Sequence, residues 1–509
     1  MADLLIRGAR LVPLTPGDAP PDHPVDVRVA EGAVVEVAER LERPEGVEEV
    51  AAEGRWLVPG LWDQHVHLGQ WTLARQRFDL AGATSPEDVV ARVGARIAEG
   101  PGQPLIGWGH RPGTWTRGVT VAELDEVTGV TPVVLIAGDA HHAWLNSAAL
   151  AALGLPPREG EDQVVRENEW FAAYALLYSL TGTDGTSPAA YADTLRATAA
   201  QGVVGVVDLE FVGGVEDWLD RWGQGCDLLR VRMATYVEGL EDVVHRGLRS
   251  GMPLAGPGGD ERLVMGPLKI ISDGSLNTRT AWCCEPYADG DRLEHPRGAA
   301  NLTGHELRHQ LTRANVSGLE VATHAIGDAA VSAALDAYAA TGAFGSIEHA
   351  QLVRREDVRR MAQLGLRASV QPSHLLDDRD LTELIWPGCA ERSFAFRWML
   401  DEGVTLVLGS DAPVSPLDPW LSIAAAVHRS DDDRDAWTPA HALTPQEALA
   451  ASVDRQPMVQ PGSRGDLALL DHDPLARGVE GGAGAVRDHL RGVTAALTTV
   501  GGSVVHRAV

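Results

Sequence analysis

Two histidines stand two residues apart in GLWDQHVH, at His65 and His67. The run around them reads as a β-strand, where residues i and i+2 face the same side. Two neutral imidazoles converging on one side are what Zn²⁺ or a similar ion takes as ligands. A strand that carries two histidines for packing has the same local pattern, so the pair has to be weighed with other groups. THAIGD places His324, SIEHAQ places His349 and LVLGSDAP places Asp411, each where an apolar run gives way to a loop. Any one such histidine is ordinarily a satisfied structural group. Four histidines and an aspartate, all at strand ends, point to a metal site. Lys269, in GPLKIISDGSL, lies within an apolar strand. Burial disfavours its ammonium form and makes the neutral amine accessible. A neutral amine can add CO₂, and the two oxygens of the resulting carbamate can bridge two metal ions. The alternative is an ion pair with an acid such as Asp273.

These groups meet only if the chain brings their strand ends together. Eight β-rich runs alternate with helical stretches: LWDQHV, GVVGVVDLE, LRVRMATYV, GPLKIISD, LEVATHA, GSIEHA, LRASVQP and TLVLGSD. Eight is the number that closes a (β/α)8 barrel of the TIM type, whose active sites sit at the C-terminal ends of the strands. The fold class is therefore α/β. The stretch from about 69 to 201, between the first two strands, reads as an insertion on the catalytic face. Residues 1–59 carry small β structure, including a hairpin turning at Glu31-Gly32, and similar texture returns in 461–509 with a turn at Gly501-Gly502. The two ends are expected to pair into one small β domain, leaving 60–460 as the barrel.

The 509 residues exceed what one hydrophobic core fills. A net charge of −28 repels nucleic acid and anionic membranes, so neither is an expected partner. The four cysteines, two of them adjacent, make neither a disulfide framework nor a thiolate zinc site. Broken by Asp3, Arg7 and Arg10, the first residues have neither the uninterrupted apolar core nor the cleavage site of a signal peptide, and no apolar run reaches the length of a membrane span. A cytoplasmic protein is expected.

GLWDQHVH, GDAHHAWLNSAAL, DGSLNTRTAW, THAIGDAAVSAALDAYA, SIEHAQ, ASVQPSH, GSDAPVSPLDPW and LTPQEALAAS occur in this order over most of the chain. In these motifs the sequence resembles the amidohydrolase superfamily, and within it the subgroup with a long insertion after strand one, which includes N-substituted formamide deformylase. The resemblance implies a two-metal site in which His65, His67 and Asp411 hold one ion, His324 and His349 hold the other, and carboxylated Lys269 bridges them. Zinc, which imidazole ligands suit, is the expected metal. The resemblance also implies a companion β-sandwich built from both chain ends. It departs from the usual pattern at Ala140, at Asn277-Thr278 and at Gly465.

The activity expected is hydrolysis of a C–N bond in a small amide, an N-acyl amine or an N-formyl amine. Metal-activated hydroxide attacks, and Asp411 acts as acid and base. His141 and His374 are candidates for contact with the substrate, and Asp273 and Arg279 for ordering the mouth; structural histidines and a loop salt bridge are the competing explanations. Tryptophans 71, 108, 115, 144 and 170 either line an aromatic-tolerant pocket or pack a core. The same site would serve an ester or lactone hydrolase. A deaminase is weighed too, though Lys269 argues against it, and so is a non-catalytic metal-bound regulatory protein. Many such barrels are dimers, which puts a homodimer beside the small-molecule substrate among expected partners.

Overall fold

The computed structural model describes residues 3–509 except 101, 113–114, 139–141, 175, 178–179 and 181–184. The described chain divides into two compact units, one of Met1–Leu68 with Ala192–Val509, the other of Gly69–Tyr191.

The first unit holds the barrel. Its strands are Leu61–Val66, Val203–Asp208, Arg230–Thr235, Leu263–Ile271, Val321–Ala325, Gly345–His349, Arg367–Val370 and Thr405–Leu408. They pair in chain order and all in parallel. All eight coincide with the β-rich runs of the sequence. Their near-continuous apolar character follows from burial on both faces, against helices outside and the barrel core inside. The ring closes between strands one and eight, where Asp411 N–H donates to the His65 carbonyl at 2.7 Å and His67 N–H to the Ala412 carbonyl at 2.9 Å. Closure thus falls on residues nominated for chemistry.

Both chain ends contribute to one sheet-rich domain, as expected. Its strands run in the order Ser503–Arg507, Ala495–Val500, Leu467–Leu470, Trp56–Pro59, Leu4–Leu11, Val25–Ala30 and Ala33–Ala38, with Glu48–Ala51 also on Leu4–Leu11. The junction is the antiparallel pairing of Leu467–Leu470 with Trp56–Pro59. Alternate residues Leu4, Ile6, Val25, Val27, Val29, Leu467 and Leu469 fill its core. Gly465 sits where three chain segments meet: its N–H donates to Gly32 O and its carbonyl accepts from Gly502 N–H, at 2.7 and 2.9 Å. A Cβ there would lie 2.6 Å from Val29 Cγ1, so this approach requires glycine.

The second unit contains a five-stranded sheet ordered Val164–Arg166, His142–Leu145, Val133–Ala137, Leu105–His110 and Phe78–Asp79. Val134 and Ile136 enter one apolar core with Trp108 and Trp170, while Val133 and Leu135 enter another with Trp144. This is the period-two alternation of a strand covered on both sides. Trp71 and Trp115 pack at the edges of these cores. The five tryptophans therefore serve packing. Among the described residues, no helix is long and apolar enough to cross a membrane.

Candidate metal centre

His65 and His67 end barrel strand one, and both are buried. Asp63 aligns this strand end with strand eight, because its Oδ1 accepts N–H bonds from His65 and from Ser410, each at 3.0 Å. Burial pushes the Asp63 carboxyl up to about 6 against those bonds. The His65 ring is fixed by its other edge: Nδ1 lies 2.7 Å from Glu348 Oε2. Burial raises the Glu348 carboxyl, but the bond and charge of His65 outweigh it and hold the group at about 2. An ionised carboxylate only accepts, so Nδ1 carries the proton. Nε2 of His65, which lies 3.3 Å from both Lys269 Nζ and Asp411 Oδ1, is then the atom that can ligate. A carboxylate behind a histidine in this way sets its tautomer and raises its basicity as a ligand.

Asp411 Oδ1 lies 3.3 Å from His65 Nε2 and 3.2 Å from His67 Nε2. Burial pushes Asp411 upward, yet the histidines around it hold the carboxyl well below its ordinary range. The three donor atoms are buried and lie within 4.8 Å of one another. Tetrahedral ligands about 2.0–2.1 Å from one ion stand about 3.3–3.4 Å apart, so this set fits a divalent cation. Asp411 and His349 take the left-handed backbone region, at φ 57° and 68°. That conformation is costly for residues other than glycine, and it persists where the surrounding structure dictates it.

Lys269 is the only lysine among the 43 lysines and arginines of the chain. It is buried on strand four, with Nζ 3.3 Å from His65 Nε2. Its ion pair with Asp273 does not form; among the described residues, no carboxylate is recorded within salt-bridge distance of Nζ. Burial lowers its pKa, against the charges of Glu348 and Asp411. Arginine supplies positive charge everywhere else. A guanidinium cannot surrender its proton or add CO₂, which gives this one position a chemical reason to differ.

His324 and His349 end strands five and six with ring centroids 4.5 Å apart. Burial, then the Lys269 charge, hold His324 near 3; burial, then His324, hold His349 well below its usual range. Both are therefore neutral, as a ligand must be. A second group of donors within 4.8 Å consists of His349, His374 and Asp411; His324 is in neither group. His324 directs Nε2 to the Gly274 carbonyl at 3.2 Å, and Asp273 Oδ1 is 3.4 Å from it. His374 begins the helix after strand seven, with Nε2 3.8 Å from Asp411 Oδ2.

Asp273 accepts N–H bonds from Trp282, Ile326 and Gly327, at 2.9, 3.1 and 2.9 Å, tying the loops after strands four and five together. Arg279 instead forms a loop salt bridge, Nε to Asp289 Oδ2 at 2.7 Å, in a left-handed conformation at φ 58°. His141 lies outside the described residues.

Glu348 and Asp63 do not stand out in the sequence by type or spacing alone. Glu348 carries a signal, an acid beside the candidate ligand His349 in SIEHAQ. The single lysine was a stronger one. Below the cluster, the barrel encloses a cavity of about 210 Å³ lined by Glu348, Ser346, Ser369 and Ala322 among others. Ser346 donates to Glu348 Oε1 from this side.

A sequence model described as the amidohydrolase family matches residues 48–506. The chain is 30% identical over 464 residues to Protein LONG AFTER FAR-RED 3 of Arabidopsis thaliana, covering 84% of this chain and 77% of that protein. It is 24% identical over 499 residues to N-substituted formamide deformylase of Arthrobacter pascens, covering 83% and 84%. A crystal structure of an uncharacterized metal-dependent hydrolase from Pyrococcus furiosus superposes with a TM-score of 0.73 at 25% identity, covering 93% of this chain and 100% of that one.

Proposed function

This chain belongs to the amidohydrolase family, and on that premise we propose that it is a metal-dependent hydrolase of a small amide, an N-acyl amine or an N-formyl amine. The observation that carries this reading is the placement of one Asp411 oxygen 3.2 and 3.3 Å from the Nε2 atoms of His67 and His65. His65, His67 and Asp411 would hold one ion; His324 and His349 would hold a second, with a carbamate on Lys269 between them. Divalent cations held there supply Lewis acidity, polarising the scissile carbonyl and bringing the pKa of a water toward neutrality. Zinc suits this set of imidazole and carboxylate donors.

The protein's own groups handle the protons. Asp411, ionised and buried, accepts the proton of the attacking water and returns it to the departing nitrogen. A C–O bond forms and the C–N bond breaks, so the products are an amine and a carboxylic acid. His374, whose Nε2 is 3.8 Å from Asp411 Oδ2, would donate to the oxyanion that develops. Glu348 holds His65 in the tautomer that leaves Nε2 available. Asp273 keeps two mouth loops in register.

The test is elemental mass spectrometry on protein purified without chelator, followed by a hydrolysis screen of N-formyl and N-acyl amines. Metal in the chain and turnover that disappears on chelation support the reading. A chain that binds no metal after reconstitution with zinc overturns it.

A further inference from the structure

The segment after barrel strand two reads Leu209, Glu210, Phe211, Val212, Gly213. Two large apolar side chains are exposed here, Phe211 by 51% and Val212 by 80%. Exposure of a phenylalanine forgoes the benefit of burying it. The backbone beneath is nevertheless tightly held. Asp208 accepts from Leu68 N–H at 3.1 Å and from the Trp218 indole at 2.9 Å. The Tyr236 hydroxyl donates to the Leu209 carbonyl at 2.8 Å, and Phe211 N–H to Glu210 Oε1 at 2.9 Å. Bonds to neighbouring elements thus fix residues 208 and 209, just ahead of Phe211 and its ring.

That ring lies on the metal centre. It stacks on His67 with centroids 4.6 Å apart and planes 12° from parallel, and the Tyr236 ring is 5.2 Å from it. One face of Phe211 therefore covers a ligand histidine, while half of its surface stays open. An aromatic surface of this kind gains most from a flat apolar group laid against it. We infer that Phe211, with Tyr236 behind it, is the specificity wall of the site and selects substrates with an aromatic group next to the bond that is cleaved. The inference rests on the proposed hydrolase reading for the identity of that bond, but the wall itself is tested by equilibrium binding.

The test uses full-length, metal-replete protein and pairs of probes that differ in phenyl against methyl: phenylacetate against acetate, and benzylamine against methylamine, by calorimetry. In at least one pair, the phenyl member should bind the native protein on the order of 10-fold more tightly. Phe211→Ala should remove most of that preference and leave the methyl probes within about 3-fold, while Phe211→Leu should keep part of it. Metal content and melting temperature of both variants report on folding and on His67. No phenyl preference in the native protein overturns the inference, as does a preference that survives Phe211→Ala. Equal weakening of phenyl and methyl probes also overturns it, because Phe211 would then only position His67. If the phenyl preference depends on Phe211 but no N-acyl or N-formyl amine is hydrolysed, the proposed activity fails and the wall stands.

Discussion

Glu348 Oε2 and His65 Nδ1 lie 2.7 Å apart although 283 residues separate them in the chain. Both are buried, and the pair determines which nitrogen of His65 can face a cation. Glu348→Gln keeps an acceptor but removes the charge, whereas Glu348→Ala removes both. Metal affinity, measured by competition with a chromophoric chelator, should fall about 10-fold in the first variant and about 100-fold in the second. Unchanged affinity in both would show that Glu348 does not support the centre.

Lys269→Arg preserves a positive charge but cannot carry a carbamate. Native protein should contain about two ions per chain, and this variant about one or fewer. Because no other lysine exists, protein equilibrated with ¹³C-bicarbonate should show one side-chain carbamate carbon by NMR, absent from the variant. Equal metal content in the two proteins would count against the bridge.

Asp411→Asn retains size and loses the charge that, on the proposed function, accepts and returns the proton. Turnover of any substrate found should drop by at least about 1,000-fold, with far-UV circular dichroism unchanged. A variant as active as the native protein would remove Asp411 from the mechanism.

Glu447 offers a pH test away from the metal centre. Arg397 binds both of its oxygens, at 2.8 and 2.6 Å, and the Thr444 N–H donates to it at the start of helix Pro445–Ala450. Chiefly through Arg397, its pKa is lowered from 4.5 to about 2. A carboxyl with a depressed folded-state pKa contributes stability above its unfolded value and loses it as pH falls toward the folded value. The urea midpoint of native protein should therefore exceed that of Glu447→Gln near neutral pH. The gap should narrow from about pH 4.5 downward and vanish near pH 2. A gap independent of pH would mean that the pair acts through packing alone.

Local pattern in the sequence was enough for the eight barrel strands, because burial on both faces leaves apolar runs that end where loops begin. It was enough also to set His65 and His67 on one side of a strand, since that depends only on the two-residue repeat. The pairing of the chain ends was legible in their matching β texture. What lies across the barrel was not. Whether Lys269 meets Asp273 or His65 depends on how strands of different sequence position are staggered, and the fold placed it 3.3 Å from His65 Nε2. The left-handed backbone at His349 and Asp411 has no marker in residue type, because surrounding contacts impose it. The tryptophans and Phe211 make the same point in opposite directions. Composition left tryptophan open between pocket lining and core packing; the second unit's sheet took Trp108, Trp144 and Trp170 into its cores, and one phenylalanine after strand two came to rest on His67. Residue types and short-range periodicity determined which groups could do chemistry; strand order, register and barrel closure decided which of them meet, because those contacts join residues hundreds of positions apart.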